Sequence, residues 1–494
     1  MQERFFKEAS PDLSMSLPSL SLEDLHHLQT LCDEEVDINT LLIQKMPKTD
    51  LHVHAEAGFL IDIELAKVIA ERNNIPFPYD LIDEQTQQWK FTGSDDLDQF
   101  IKDFRRISNL LKTPQDIEDL TYAFYKYCYE HHVIFALPGI SWIQCKEHIT
   151  FVEFNQAYNR GIARGIKEFG DVTTLRLRYY QERHIDPEDF QSIWGTIQQY
   201  PNPMVTTIGL AGAEEGFPLE RFFNFFDEIN HYRQQKGNPW YFITAHIEPE
   251  AQKHTLETAK KYLDRFAHGR NVANYPELEK TLKSDGMTLE LCPLSDVAFF
   301  PKSIPNLKSH TQFQTLFKDE MISLNSDDPA FCGPIDQVYQ AVFKELECDM
   351  ALLFRCTYNG LFAVAPSTLD AMHRFAPEMY QDHMLFLKHS LLKLKFFEQY
   401  FHLLQEIKTI SDEYRELKKS ILGISLHTPI SELNHLSSSL LKIGKEISIS
   451  SLIDIKQEII RTAKLLEKNT LHAIDKFEHN CLLAEEQSIY CLES

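Results

Sequence analysis

Two histidines, His52 and His54, stand two residues apart in the segment PKTDLHVHAE. The segment has the apolar, β-branched character of a strand, and alternation along a strand places both imidazoles on one face. Paired imidazoles on one face favour binding of a metal ion. Taken alone, the segment is equally typical of an exposed strand that carries two surface histidines.

Further candidate ligands stand at the ends of later apolar runs. His246, His268 and the pair Asp327–Asp328 each follow such a run and precede a turn. A mononuclear zinc site needs three or four nitrogen or oxygen ligands, and the two strand histidines, His246 and one aspartate supply that set. A core histidine, a turn residue or a helix cap explains each residue singly. Their shared position at strand ends is better explained by one zinc site.

Eight short β-branched runs alternate with amphipathic segments, which is the pattern of repeated βα units around a parallel sheet. No glycine-rich phosphate turn follows the first run, so a closed barrel is favoured over an open doubly wound sheet. We therefore predict an α/β fold, a (β/α)8 TIM barrel with the site at the carboxyl ends of its strands. The eight predicted strands lie near residues 49–56, 133–139, 173–180, 204–212, 241–248, 265–269, 287–293 and 321–329.

The chain is predicted to have three parts. Residues 1–45 form an acidic N-terminal extension with a predicted helix over 21–35, and residues 46–375 form the barrel. The stretch from about 57 to 132 is too long for one crossover helix, so it is expected to hold extra helices over the barrel mouth. Residues 376–494 are rich in Leu, Lys, Glu and Ile and are predicted to be an appended helical region.

The composition of the chain limits the classes of binding partner that can be expected. The 494 residues include 73 acidic and 49 basic side chains, a net charge of −24 that disfavours nucleic acid and anionic lipid as partners. Nine scattered cysteines with no Cys-x-x-Cys pair predict reduced thiols. No apolar run is long enough for a transmembrane helix and no secretory signal is recognisable, so a cytoplasmic location is expected. Export without a cleaved signal stays open.

Five segments, in order along the chain, resemble the signature segments of the adenosine deaminase family of zinc amidohydrolases. The resemblance covers about residues 46–370 and implies that zinc is bound by His52, His54, His246 and Asp327. It also implies hydrolytic deamination of a purine nucleoside, adenosine or deoxyadenosine, to inosine or deoxyinosine and ammonia. The five segments are PKTDLHVHAEAG, GLAGAEEGFP, AHGRN, LELCPLSDV and SLNSDDPAFCG.

The same resemblance implies roles for four further residues. His268 would orient the attacking water or take its proton, and Asp328 would hydrogen-bond the purine and the nucleophile. Gly212, which has no side chain, would let its backbone approach the base edge. Glu56 falls where the family reads the 5′ end of the sugar. A glutamate there repels a 5′-phosphate, so a nucleoside or a free base is favoured over a nucleotide.

One position departs from the family pattern. The family places a glutamate that protonates the purine ring three residues after the zinc histidine of the fifth strand, but this chain has Pro249 there, which cannot donate a proton. Glu248 shares a strand face with His246 and is the first candidate to replace the donor, with Glu250 in reserve.

Two alternative functions stay open because of this departure. The chain is then either a zinc amidohydrolase with another amine or amide substrate, such as adenine or an AMP-type nucleotide, or a catalytically impaired protein that binds nucleosides or acts as a scaffold. The helices after residue 376 are candidates for homo-oligomer formation.

Overall fold

Nine strands, β1 to β9, form one sheet in which every strand pair is parallel. The computed structural model describes residues 38–391 except 55–61, 186, 215, 248–250, 320 and 389, together with residue 394. All eight predicted strands are confirmed, and the third is divided into β3 and β4. The strands are β1 Lys48–His54, β2 Val133–Ile140, β3 Thr174–Leu175, β4 Leu177–Glu182, β5 Val205–Ala211, β6 Phe242–Ile247, β7 Arg265–His268, β8 Leu289–Leu291 and β9 Ile322–Leu324.

The strands follow the order β1-β2-β4-β5-β6-β7-β8-β9, and β3 pairs with β2. The two ends of this series meet beyond β9, where Val53 forms a bridge with Asp327. The Asp327 N–H donates to the His52 carbonyl at 2.9 Å, and the His54 N–H donates to the Asp327 carbonyl at 2.9 Å. The predicted (β/α)8 barrel is therefore confirmed.

Two side chains after β9 also join the two ends of the strand series. Asn325 Oδ1 accepts hydrogen bonds from the backbone N–H groups of Leu51, at 2.8 Å, and His52, at 3.2 Å. The Ser326 N–H donates to Asp50 Oδ1 at 3.1 Å, and the Ser326 hydroxyl donates to the other oxygen of the same carboxylate. The barrel closes partly through side chains, which hold the carboxyl end of β1 beside the turn that carries Asp327.

Fifteen helices of the described residues have defined bounds, and five short 3-10 turns accompany them. The helices are α1 Ile38–Lys45, α2 Ile63–Arg72, α3 Leu97–Ser108, α4 Pro114–Glu130, α5 Phe151–Phe169, α6 Pro187–Gln199, α7 Phe223–Arg233, α8 Lys253–Ala259, α9 Pro276–Asp285, α10 Pro293–Phe299, α11 Thr311–Lys318, α12 Pro329–Cys332, α13 Ile335–Leu346, α14 Met350–Leu361 and α15 Pro366–Phe375. The 3-10 turns are Tyr79–Leu81, Trp142–Gln144, Leu219–Phe222, Arg270–Asn274 and Leu307–Ser309.

Local sequence explains where the longest helices begin. The Thr113 and Thr150 side chains each accept a hydrogen bond from the backbone N–H three residues later. The side chains of Asp116 and Glu153 in turn accept a hydrogen bond from the backbone N–H of these threonines, which completes two capping boxes. Helices α2, α3 and α4 occupy the long connection between β1 and β2, as predicted. Residues of α3 reach the mouth of the barrel, so this insertion contributes to the site.

The chain divides into two compact units. Residues 43–391 form one unit, and residues 1–42 with 392–494 form the other. Residues 377–388 are helical. The predicted helix over 21–35 and most of the predicted C-terminal helical region lie outside the described residues, so the predicted domain boundaries stay a prediction.

The described cysteines are free thiols, in agreement with the sequence. Within the part of the chain that the structure describes, every helix is too short or too polar to span a bilayer.

Candidate active site

The carboxyl ends of β1, β6 and β7 and the turn after β9 bring four histidines and one aspartate together. Asp327 Oδ1 lies 3.4 Å from His52 Nε2 and 3.3 Å from His54 Nε2. His268 Nε2 lies 3.9 Å from Asp327 Oδ2. The His246 ring centroid is 4.7 Å from that of His52 and 5.1 Å from that of His268. The structure thus places the predicted ligand set around one point.

The spacing and the donor types fit zinc. Two ligand atoms at about 2.0–2.1 Å from a tetrahedral zinc lie about 3.4 Å apart, which matches the distances from Asp327 Oδ1 to both strand histidines. His52 is fully buried, and neither of its ring nitrogens makes a hydrogen bond of good geometry. A metal ion would satisfy this buried imidazole. Cys292 also has its sulfur near His268 and Asp327, but burial raises the pKa of this thiol well above its usual value, so the thiolate that binds zinc is disfavoured.

The protonation states agree with metal binding. Burial lowers the pKa of His246 well below its usual value. Burial and the neighbouring His52 lower the pKa of His268 to about 4. Both rings are then neutral at pH 7, the form that coordinates a metal. Burial opposes ionisation of Asp327, but His268, His52 and His54 together hold its pKa well below the usual range.

Two of the site residues have a left-handed backbone. His268 has φ 57° and Asp327 has φ 60°, in a region that residues other than glycine seldom adopt. Such conformations cost about 1–3 kcal/mol each and persist where surrounding structure imposes them. For Asp327 the imposing structure is the pair of backbone hydrogen bonds to β1. The turn after β9 is therefore strained in a way that aims a carboxylate at the two histidines.

A buried carboxylate lies behind His52. Glu290 on β8 has Oε2 at 3.5 Å from His52 Nδ1. Arg178 Nη2 is 2.9 Å from both oxygens of Glu290, and Arg265 Nε donates to Oε1 at 2.7 Å. Burial would raise the pKa of Glu290, but Arg178, His52 and Arg265 hold it far below the usual range. An ionised carboxylate at Nδ1 orients the ring and leaves Nε2 free to face a metal ion, if one binds there.

Sequence reasoning did not identify Glu290, Arg178 or Arg265 as parts of the site. A signal was present, because charged residues alternate with apolar ones in the predicted strands LRLRYY and LELCP. A barrel strand is buried on both faces, so such charges must find partners in the barrel interior. Their sequence separations, 112 residues between Arg178 and Glu290 for example, hide which partners they find.

Sequence reasoning also did not identify Tyr180 on β4 as part of the site. Its ring stacks on His54 with centroids 5.1 Å apart, and its hydroxyl lies 3.4 Å from His246 Nε2. Two glycines make room for this ring. A Cβ at Gly139 would come within 1.9 Å of Tyr180, and one at Gly209 within 2.8 Å. These glycines therefore let a bulky side chain support two of the candidate ligands.

The start of α10 supports Asp327 from the other side. Ser295 Oγ donates to Asp327 Oδ2 at 2.6 Å, which leaves Oδ1 directed at the two strand histidines. The next residue, Asp296, pairs with Arg270 Nη1 at 2.7 Å and with His310 Nε2 at 3.0 Å. All of these side chains are buried. The Cys-Pro-Leu-Ser-Asp turn thus holds the Asp327 carboxylate, a candidate metal ligand, in one orientation.

The site opens into a cavity of about 1030 Å³ at the carboxyl end of the barrel. Phe100, Phe104 and Phe299 give it an apolar wall. Asp328 lines it from the N-cap position of α12, where its side chain makes no capping hydrogen bond. Gly212 also lines it and has φ 95°, which a glycine adopts without strain. A flat apolar ligand with polar edges suits these surroundings.

Two predicted site residues lie outside the described part of the chain. Glu56 belongs to residues 55–61, and Glu248 belongs to residues 248–250 together with Pro249 and Glu250. Their predicted roles in substrate reading and proton donation stay predictions.

A family model described as adenosine deaminase matches residues 47–374. This match spans well over half of the chain, so the chain belongs to the adenosine deaminase family, a family of hydrolytic deaminases. The resemblance identified from the five sequence segments is confirmed.

Curated relatives match over nearly their full lengths. The adenine deaminase of Wolinella succinogenes is 27% identical over 330 residues, which cover 65% of this chain and 93% of the relative. The adenine deaminase of Geotalea uraniireducens is 28% identical over 321 residues, which cover 64% and 85%. That of Stutzerimonas stutzeri is 26% identical over 325 residues, which cover 65% and 98%.

Solved structures share the fold. The adenine deaminase from Arthrobacter aurescens superposes with a TM-score of 0.57 at 21% identity, covering 71% of this chain and 99% of that one. An amidohydrolase from Burkholderia ambifaria with bound Zn has a TM-score of 0.57 at 19% identity, covering 75% and 98%. The N6-mAMP deaminase of arabidopsis has a TM-score of 0.51 at 19% identity, covering 70% and 99%.

Proposed function

We propose that this chain catalyses the zinc-dependent hydrolytic removal of the amino group of adenine, giving hypoxanthine and ammonia. The observation that carries this proposal is the convergence of His52, His54, His246 and Asp327 at distances that suit one tetrahedral zinc. His268 beside them, and membership of a deaminase family, point to hydrolysis at an amine-bearing carbon.

We propose adenine as the substrate rather than the nucleoside that the sequence resemblance implied. The curated relatives at 26–28% identity are named adenine deaminases and match this chain over 85–98% of their own lengths. The phenylalanine wall of the cavity also suits a planar base. Adenosine is the second candidate, because a cavity of about 1030 Å³ lies at the upper end of the range for small-molecule sites and leaves room beyond a purine.

Each residue of the site has a distinct task in the proposed reaction. Zinc, when bound, would act as a Lewis acid that lowers the pKa of water, so that hydroxide is available as the nucleophile at neutral pH. Glu290 and Ser295 hold His52 and Asp327 in the ligand orientation. His268, a neutral ring 3.9 Å from Asp327 Oδ2, orients the attacking water and accepts its proton. Asp328 and the backbone at Gly212 bind the edge of the base.

Attack on the purine also requires a proton on a ring nitrogen as negative charge develops there. We propose Glu248 as the donor, with Glu250 as the second candidate. Both follow β6 within a few residues of His246, and each is an ionisable carboxyl group, which Pro249 is not.

Ammonia release by the zinc-loaded full chain tests this function. We expect turnover of adenine with a kcat/KM well above the values for adenosine, deoxyadenosine and AMP, and loss of turnover in one of Glu248→Gln and Glu250→Gln. A higher kcat/KM for adenosine than for adenine would overturn adenine as the substrate but would still support deaminase activity. Release from none of the four compounds by protein that binds zinc would overturn the deaminase itself.

The remaining expectations about partners also become proposals. We propose that the chain acts on a small molecule without nucleic acid or membrane, as its net charge of −24 favours, and that residues 376–494 form a helical homo-oligomer contact. Light scattering of the full chain and of a chain ending at residue 375 measures the second point. An equal number of subunits in both would overturn it.

A further inference from the structure

A second cavity, of about 690 Å³, lies at the amino end of the barrel. Its wall includes Val205, Phe242 and Arg265, which are the first residues of β5, β6 and β7, and part of the helical residues 377–388. No described residue lines both this cavity and the one at the carboxyl end. The volume is within the range of small-molecule sites.

The charges around this amino-end cavity differ from those of the whole chain. Basic side chains outnumber acidic ones in its described lining, although the chain has a net charge of −24. A locally positive concave surface in an acidic protein attracts anions. The basic residues are Arg176, Lys236, Arg265 and Arg374, and the acidic ones are Glu378 and Asp382.

Arg176 is the partly buried basic residue of this lining that forms no ion pair within the described residues, whereas Lys236 and Arg374 are exposed. It stands between β3 and β4 and is partly buried, and its Nη1 contacts the Leu175 carbonyl at 3.4 Å and Met204 Sδ at 3.7 Å. No carboxylate within the described residues forms an ion pair with it, whereas Arg265 in the same wall is paired with Glu290. Burial lowers the pKa of Arg176, although Tyr158, Asp382 and Asp171 oppose the shift. Partial burial of a guanidinium that has only weak contacts costs free energy, and a bound anion would offset that cost.

The rest of the wall defines the other part of a ligand. Phe135 and Phe386 pack with ring centroids 4.6 Å apart, and the Phe242 ring lies 5.9 Å from that of His383. His383 Nε2 is enclosed and has no hydrogen-bond partner among the described residues. An apolar, ring-sized body fits against these aromatic side chains.

We propose that the amino-end cavity is a second ligand site, which binds a small organic anion with its negative group on Arg176 and its apolar body against Phe135, Phe242 and Phe386. This site is independent of the deaminase reaction proposed for the opposite end.

Calorimetric titration of the full chain with benzoate, and with benzamide as the neutral compound of the same shape, tests the proposal. We expect benzoate to bind at least about tenfold more tightly than benzamide, since one charge contact of this kind is worth about 1.4 kcal/mol or more. Arg176→Gln should remove this difference. Arg160→Gln, a change of an exposed arginine outside the cavity, and His246→Ala, a change at the opposite end, should preserve it.

Asp382→Asn gives a second measure that does not depend on the folding of the Arg176 variant. Removing this acidic side chain from the wall should tighten benzoate binding and leave benzamide unaffected. Equal affinity for the two compounds, absence of benzoate binding, or benzoate affinity that Asp382→Asn leaves unchanged would overturn the proposal.

Discussion

The two ends of the barrel use buried charge differently. At the amino end, Lys48 is fully buried, and its Nζ donates to the carbonyls of Gln44, Met46 and His131 at 2.9, 2.8 and 3.2 Å and lies 3.1 Å from Asp336 Oδ1. At the carboxyl end, His52 is equally buried, but its ring nitrogens have only long contacts. Nδ1 lies 3.5 Å from Glu290 Oε2 and Nε2 lies 3.4 Å from Asp327 Oδ1, and neither contact is a hydrogen bond of good geometry.

This difference separates stability from function. A buried charge whose partners are all supplied by the chain stabilises one arrangement of elements. A buried polar group that the chain leaves unsatisfied costs free energy in the empty protein, and the cost is recovered when a ligand binds. The comparison therefore predicts which substitutions change ammonia release and which change only stability.

The largest effect on ammonia release is expected for His246→Ala. The change removes one candidate ligand of the metal, so we expect activity to fall by more than the roughly 10–100-fold that loss of a ligand's supporting partner costs. Ammonia release and bound zinc are measured together, with His231→Ala on the surface of α7 as the matched control. Full activity and full zinc content in His246→Ala would break the assignment of the carboxyl end.

Glu290→Gln is expected to act through His52. The neutral amide keeps the shape but loses the ionised acceptor at Nδ1, so zinc affinity should fall by about 10–100-fold, while kcat at saturating zinc falls much less. Competition with a coloured chelator measures the affinity, and Glu277→Gln, an exposed change on α9, is the control. Unchanged zinc affinity in a folded Glu290→Gln protein would remove Glu290 from the metal site.

Ser295→Ala should have a smaller effect at the same end. It removes one hydrogen bond to a carboxylate that keeps its other contacts, and we expect kcat/KM to fall by about three- to tenfold. Steady-state kinetics beside Ser284→Ala, which lies exposed on α9, measures this loss. A fall as large as that of His246→Ala would show that the position of Asp327 depends on Ser295 far more than the structure indicates.

Lys48→Met should leave ammonia release unchanged and lower stability. Three carbonyl groups lose a donor and Asp336 loses a charge partner, so we expect the free energy of unfolding to fall by about 3 kcal/mol. Denaturant unfolding measures it, with the exposed Lys280→Met as the control. A Lys48→Met protein that is stable but inactive would contradict the division between the two ends.

The shifted pKa of Lys48 predicts that the free energy of unfolding depends on pH. Burial lowers the pKa of Lys48 from 10.5 to about 8, although Asp336 opposes the shift. Between these values the unfolded chain binds more protons than the folded one, so the stability contributed at this residue increases as pH rises. The free energy of unfolding of the wild type, relative to Lys48→Met, should therefore rise from about pH 8 to about pH 10.5. A falling difference would show that Lys48 is charged in the folded chain throughout.

Local sequence predicts the strands and the side chains at their ends, but not the residues that support those side chains. The strands and the residues that end them follow from local patterns, because alternation and apolar runs report burial directly. His52, His54, His246, His268 and Asp327 were all found in this way. Their meeting point followed from the rule that parallel strands present their carboxyl ends together.

The supporting residues could not be predicted, because they depend on contacts between distant parts of the chain. Asn325 binds the backbone of β1 across 274 residues. Glu290 contacts His52 and two arginines, and these three partners lie on three other strands. Nothing in the local sequence around Tyr180 indicates that Gly139 and Gly209 make room for its ring. Such partners are fixed by the closed barrel rather than by any one segment.

The position of zinc in a crystal of the full chain, located by anomalous scattering at the zinc edge, tests the proposed metal site most directly. We predict one strong peak at about 2.0–2.2 Å from nitrogen atoms of His52, His54 and His246 and from Asp327 Oδ1. A zinc-loaded crystal with no peak among these four side chains, or with its strong peak elsewhere, would contradict it.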